Sequence, residues 1–381
     1  MNENKIIFIT KDISHAPNTT PYQRHKLISK TLNGKVFLAT TKNDFIKSDD
    51  DYVYRSKNNL RQIAAVLLNV IKNKAARNKV VVWSDYEPIN LMFAYYIKKI
   101  LNVEIIADIW DDPKLQIEVN KSCTGFSNKL RQRLRIFLYN LIRNRLWQFD
   151  KIIFSIMPEV LKRDFDNYPA ILEKSLKSTN GIEKNSIKLI SNLEKTKVNE
   201  DGTIITYVGV VKEIRGVGTT IDAIDKVHKK LGKFKLVLIG LCEDKDKDWL
   251  LKKVKNMPWK ENIILKGYIP FNETAKQIKS SDILVYPFPR KNELDFIYPI
   301  KIFEYLAANN KIVSSDLLGV KSILKHFKGV YFFNPERIND FSEKLVIAAK
   351  DKRKFDNVPF LEKEFTWEKI NGEVIKYVSN I

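Results

Sequence analysis

Apolar residues in this chain come in short runs, separated by longer segments of a different period. The first half carries KIIFIT (5–10), KVFLAT (35–40), KVVVWS (79–84), VEIIADIW (103–110) and KIIFS (151–155). The second half carries TIITYVGV (203–210), FKLVLIG (234–240), NIILKGY (262–268), DILVYPF (282–288) and NKIVSSD (310–316). Each run is rich in Val, Ile, Leu or Phe with little alternation, the pattern of a strand buried on both faces of a parallel sheet. Stretches of helical period, such as 219–231 and 272–279, lie between them. Strands alternating with helices predict α/β architecture, and two such series predict two Rossmann-like, doubly wound parallel-sheet domains.

At 381 residues the chain exceeds one ordinary core. The polar, weakly patterned stretch 183–202 sets the predicted boundary, giving an N-terminal domain over 1–185 and a second over 186–360. In the remainder, 361–381, Trp367, Ile370, Val374, Ile375 and Val378 share one helical stripe, which predicts a helix that covers a surface elsewhere.

Composition adds one strong constraint. Lys and Arg total 66 against 45 Asp and Glu, a formal charge of +21 that calls for an anionic partner: nucleic acid, an anionic membrane surface or a phosphorylated substrate. No apolar run approaches the roughly 18–20 residues that span a bilayer. The opening MNENKIIFIT lacks the apolar core of a signal peptide, which predicts a cytoplasmic protein. Cys123 and Cys242 are too far apart in sequence for a metal knuckle or redox motif and are read as structural.

Two stretches carry candidate chemistry. In YPIKIFEYLAANNKIVSSD (298–316), Pro299 is placed at the first position of a predicted helix, with Lys301 and Glu304 three apart on one face. A helix N-terminus and a lysine suit a phosphate, and a carboxylate can accept hydrogen bonds from both hydroxyls of a ribose. The alternative is a surface ion pair. In KEIRGVGTT (212–220), Lys212, Arg215, Gly216 and Gly218 form a basic loop between a strand and a helix, with Thr219 and Asp222 as its capping box. Asp244, Asp246 and Asp248 in CEDKDKDW have a metal-like spacing, but the Lys-rich loop reads as solvated surface, so no metal site is expected.

These motifs, with VLIG, ILKGYI, NGIE and P-x-K-x-x-E-Y-L-A, resemble the nucleotide-sugar glycosyltransferases of the two-Rossmann-domain GT-B architecture, family 4 in particular, over nearly the whole chain. The resemblance implies a donor set of Lys212, Arg215, Gly216, Gly267, Tyr268, Ile269, Asp295, Tyr298, Lys301 and Glu304. Glu304 would hold the ribose, Arg215 the diphosphate, and the backbone of 267–269 the base. The family's first glutamate, eight residues before the second, is Phe296 here, with Asp295 and Glu293 beside it. DIWDDP resembles the family's RD-x-W-P segment, with Asp111 at its aspartate; Asp112 beside it at the strand end and His15 in the loop after the first strand complete the candidate catalytic residues on the acceptor side, the alternatives being a turn or capping cluster and a structural histidine. His25 and Arg24 lie in the same early segment.

From Val119 to Phe149 no acidic residue occurs, and Leu130, Leu134, Phe137, Leu138 and Leu141 form a stripe flanked by basic residues. That is the pattern of a helix on an anionic membrane, expected over 121–147, or of a core-facing helix with a basic rim. The function expected is glycosyl transfer with retention from a nucleoside-diphosphate sugar, a UDP-sugar foremost, to a lipid-linked or polysaccharide acceptor at the inner face of a bacterial plasma membrane. No tightly bound cofactor or metal is expected. Three alternatives remain: a catalytically silent GT-B partner subunit, a basic nucleic-acid-binding protein and an epimerase on the same architecture.

Overall fold

All ten apolar runs become strands. The computed structural model describes residues 4–10, 20, 23–39, 53–56, 59–110, 126–159, 168–196, 202–291 and 294–380. The chain divides into two units, one of residues 1–180 and 367–381 and one of residues 181–366.

The first unit is built on a seven-stranded sheet. Its order is β3 (Val53–Ser56), β2 (Lys35–Ala39), β1 (Asn4–Thr10), β4 (Lys79–Asp85), β5 (Glu104–Ile109), β6 (Lys151–Phe154) and β7 (Ser175–Lys177). The second has six strands in the order β10 (Ile263–Gly267), β9 (Phe234–Ile239), β8 (Thr203–Val208), β11 (Ile283–Tyr286), β12 (Lys311–Ser315) and β13 (Val330–Phe333). Every pairing is parallel. Each unit is thus an α/β, doubly wound parallel-sheet domain of Rossmann-like type, as the sequence predicts. The three strands not read from the sequence, β3, β7 and β13, are all sheet edges of three or four residues, although β13, VYFF, is itself a short apolar run. An edge strand makes half the pairings of a central one and needs less apolar surface.

Helices cover both faces of the first sheet. On one face α1 (Asn59–Ala75), α2 (Pro88–Leu101) and α3 (Phe126–Arg143) pack side by side. On the other, Phe8, Val36, Val81, Trp83, Ile106 and Ile153 form a core with Ile28 and with Val374 and Val378 of the C-terminal helix Trp367–Val378. The stripe seen in the sequence thus covers the first sheet, and Trp367 is buried with it.

One predicted feature is overturned. The stretch taken as a polar boundary contains a helix, Lys184–Asn192, with Ile187 and Ile190 fully buried inside the second unit. Two isoleucines three apart suffice to bury one helical face, although most of the surrounding residues are polar.

The first unit also buries a charge pair. Arg24, in the helical turn Gln23–Ile28, has no exposed surface and lies with Nε 3.3 Å from Asp108 Oδ2 at the end of β5. Its Nη2 donates to Ser155 Oγ at 3.2 Å and Ser178 Oγ at 3.1 Å, just past β6 and β7, and its Nη1 to Asn371 Oδ1 at 3.2 Å. Trp83 Nε1 donates to the same Asp108 oxygen at 3.0 Å. Burial outweighs the attraction of Arg24 and raises the Asp108 carboxyl to about 6. Arg24 therefore ties three strand ends to the C-terminal helix. Arg24→Ala, which leaves Asp108 buried without its counter-ion, should destabilise the protein by about 3–5 kcal/mol, read as a lower urea midpoint, and Arg24→Lys should recover only part of the loss because it lacks the planar fork.

Candidate functional site

Open parallel sheets bind ligands beyond the carboxyl ends of their strands, where the strand order reverses. In the second unit that point lies between β8 and β11. The two strands pair only at Ile283 with Ile205 and Leu284 with Thr206, then part. Tyr305, fully buried on the helix Lys301–Ala307, reaches into the seam: its hydroxyl accepts from Val208 N at 2.9 Å and makes a long bond, 3.5 Å, to the Val285 carbonyl. The neighbouring residue in the chain is Glu304. Its helix is thereby anchored at the switch point.

Glu304 is 2% exposed, so it is no surface ion-pair residue. Lys301 Nζ donates to both carboxylate oxygens, at 2.9 and 3.0 Å, while its own side chain remains part-exposed. Burial raises the Glu304 carboxyl above the ordinary glutamate range, against the opposing charge and hydrogen bonds of Lys301. A diol that binds Glu304 takes hydrogen-bond positions that Lys301 now fills.

The basic loop sits beside the same seam. After β8 the chain passes through a short turn, Glu213–Arg215, and enters the helix Val217–Leu231 through Gly216, whose φ is 79°. A Cβ at Gly216 would lie 1.8 Å from the Pro287 carbonyl oxygen, so only glycine lets this loop close on the residues after β11. That approach sets the Arg215 guanidinium over the Phe288 ring at 5.1 Å, and Phe288 in turn stacks on Tyr286 at 4.4 Å. The stack orients a guanidinium that has carbon on one face, leaving its edge for an anion. Tyr286 is buried with its hydroxyl unpartnered. Gly240 closes on Gly209 in the same way, and Gly240 N donates to Gly267 O at 2.8 Å, so the loops after β8, β9, β10 and β11 converge.

Comparison with known proteins defines this unit. Residues 190–358 match the family model described as glycosyl transferases group 1. The second unit is a glycosyltransferase domain. A search of curated protein sequences finds no match. Among solved structures, HepE (Alr3699) of Anabaena in complex with UDP is similar at a TM-score of 0.68 and 14% identity, over 99% of this chain and 100% of that one. The lipopolysaccharide outer core galactosyltransferase WaaB in its apo form gives 0.69 and 14% over 99% of each chain. Sucrose-phosphate synthase of Thermosynechococcus elongatus gives 0.65 and 13% over 99% of each. At such identities the likeness is one of fold.

Within the glycosyltransferase domain the expected donor residues divide. Arg215, Gly216, Gly267, Lys301 and Glu304 stand at the convergent strand ends or on the helix anchored there. Tyr268, beside Gly267, is 81% exposed, and Ile269 follows it as the chain enters the helix Phe271–Ser280. Lys212 is engaged elsewhere, its Nζ 3.2 Å from Glu243 Oε1 and 3.7 Å from Asp246 Oδ2. Asp295, next to Phe296, accepts from Leu318 N at 3.0 Å, and Tyr298 is buried. Two local expectations fail: the helix bearing Glu304 starts at Lys301 rather than Pro299, and Gly216 rather than Thr219 stands at the cap of its helix. In both cases the turn before the helix sets the start, and Asp222 instead pairs with Lys253. Asp111, Asp112, His15 and Cys123 lie outside the described residues, and so does the side chain of His25. Among the described residues no group of three or more His, Cys, Asp or Glu is placed to hold a metal ion.

Tyr305, Phe288 and Tyr286 were not singled out from sequence, because apolar and aromatic residues in these runs look like ordinary core. Tyr305→Phe leaves Val208 N–H without its acceptor and should cost about 1–3 kcal/mol, measured as a lower melting temperature. Gly216→Ala should be at least as damaging, since strain at positive φ adds to the clash with Pro287, and circular dichroism melting checks it.

Proposed function

We propose that the protein transfers a sugar from a nucleoside-diphosphate donor, a UDP-sugar, to a lipid-linked glycan or polysaccharide acceptor, with retention at the anomeric carbon. The observation that carries the donor half is the buried Glu304 carboxylate, held by Tyr305 at the switch point beside the Arg215 loop. A carboxylate that accepts two hydroxyls and a guanidinium that takes a diphosphate match the two ends of a nucleotide. UDP is favoured because HepE, a protein of this fold, was solved with it.

In the transfer, the acceptor oxygen bonds to the anomeric carbon as the bond from that carbon to the β-phosphate oxygen breaks. The electron pair leaves on the nucleoside diphosphate, whose charge Arg215 and Lys301 neutralise, and the acceptor proton passes to an oxygen of the leaving group. No metal or tightly bound cofactor is required in this proposal. The first unit takes the acceptor, with Asp111, Asp112 and His15 as the candidate residues that act on its hydroxyl. The enzyme works at the inner face of a bacterial plasma membrane in making a surface polysaccharide such as capsule or O-antigen, with residues 121–147 against the anionic lipid.

The test is calorimetric titration with UDP, GDP, dTDP, CMP and ADP. UDP should bind the wild type, and Glu304→Ala and Arg215→Ala should each weaken binding by about tenfold or more, the equivalent of one lost charge-assisted hydrogen bond. Binding that neither substitution alters would overturn the site. Hydrolysis of UDP-sugar by the protein separates an enzyme from the silent partner subunit that Phe296 suggests.

The raised Glu304 carboxyl adds a pH signature. A protonated carboxyl loses one acceptor position, and a group raised above 4.5 protonates while ordinary glutamates are still charged. UDP affinity should therefore fall on acidification from a pH above that value, whereas Glu304→Gln should bind weakly with that dependence removed.

A further inference from the structure

The outer surface of the first unit's helical layer is both apolar and free of acidic residues. The strand order sends β3 to β4, β4 to β5 and β5 to β6 in the same direction across the sheet. Right-handed crossovers then put the three connecting helices, α1, α2 and α3, on one face, and α2 packs against both of its neighbours there. No Asp or Glu occurs on any of them. Basic residues number three on α1, two on α2 and five on α3.

Their outward positions are not the polar ones a solvated layer presents. On α1, Leu60, Leu68 and Ile71 are exposed, Leu68 by 68%. On α2, Ile100 is 76% exposed and Tyr96 half exposed. On α3, Leu130, Leu134 and Phe137 are exposed, Leu134 by 54%. Meanwhile the sheet-facing side of α1 holds Gln62, whose amide donates to the Thr10 and Phe37 carbonyls at 3.0 and 2.7 Å. Val66 and Val70, fully buried, form the core side of α1 with Gln62, so Leu60, Leu68 and Ile71 lie off that side. Arg135 is held by Glu87 and Lys98 by Asp150, both acids from outside the three helices. Arg133 stands exposed on the same helix as Leu134.

We propose that this three-helix layer as a whole, not α3 alone, lies on an anionic lipid surface. Exposed aliphatic side chains enter the boundary between headgroups and acyl chains while the interspersed Lys and Arg meet lipid phosphates. The pattern disfavours the other occupants. A second copy packed about a two-fold axis would set one basic, acid-free face against itself. A nucleic acid has phosphates for the lysines but nothing that covers leucine and isoleucine, and the exposed rings of Tyr96 and Phe137 stand on two different helices rather than in the run of stacked rings that holds a single strand. The inference deepens the membrane partner of the proposed function and rests on that reading for its biological sense.

The experiment is flotation of the full-length protein with vesicles of phosphatidylcholine alone and with about one third phosphatidylglycerol added, a strongly anionic surface. Binding to the anionic vesicles only is expected, weakened by salt. Leu68→Glu on α1 and Leu134→Glu on α3 should each reduce the bound fraction several-fold, while both variants keep the wild-type melting temperature and its shift with UDP. Equal binding to neutral vesicles, no binding, or loss with Leu134→Glu but not Leu68→Glu overturns the three-helix face. So does a concentration-dependent dimer, seen by light scattering, that Leu68→Glu abolishes, or retention of RNA by the same face. Because UDP binding is followed in the same samples, failure of the lipid surface and failure of the donor site give different results.

Discussion

The hydroxyl of Tyr305 closes the one gap a parallel sheet cannot close by itself. Where β8 and β11 part, Val208 N–H and the Val285 carbonyl lose their ladder partners, and a buried tyrosine supplies one strong bond and one long one. Any residue on the same short helix is then placed relative to the ends of both strands. Glu304 follows in position, and so does the carboxylate that defines the site.

The basic loop answers to a second constraint of the same kind. Gly216 permits the chain after β8 to touch the backbone after β11, and Arg215 is laid on Phe288 as a result. Tyr286, below that ring, carries an unpaired hydroxyl in a buried setting. Burial of a charge, an unmatched hydroxyl and a glycine in a left-handed conformation each cost stability. Their concentration at one set of strand ends marks the place where the fold is arranged for binding rather than for packing.

In the first unit the same logic serves attachment of the C-terminal helix. Arg24 is held by groups at the ends of β5, β6 and β7 and by Asn371, so a residue near the start of the chain and one near its end share a single buried network. The apolar contacts of Val374 and Val378 with the sheet add to it. The opposite layer, α1 to α3, is joined to the rest by ordinary core contacts and leaves its basic, apolar outer side open.

Central strands, their parallel pairing class and the positions of Glu304 and Arg215 were legible in the sequence. Doubly buried strands must be continuous apolar runs, whereas the Lys301–Glu304 spacing alone also fitted a surface ion pair and gained its donor reading from the family resemblance. Of the edge strands β10 was legible from its apolar run, whereas a half-paired segment such as Val53–Ser56 needs little apolar surface and was not. The helix Lys184–Asn192 was missed because it is short and mostly polar, with only two hydrophobic residues fully buried. Tertiary structure alone decided that Lys212 turns to Glu243 and Asp246, that Arg215 rests on Phe288 and that Tyr305 spans the seam. Each of these pairs residues far apart in the chain, and such partners are set by which strands lie side by side.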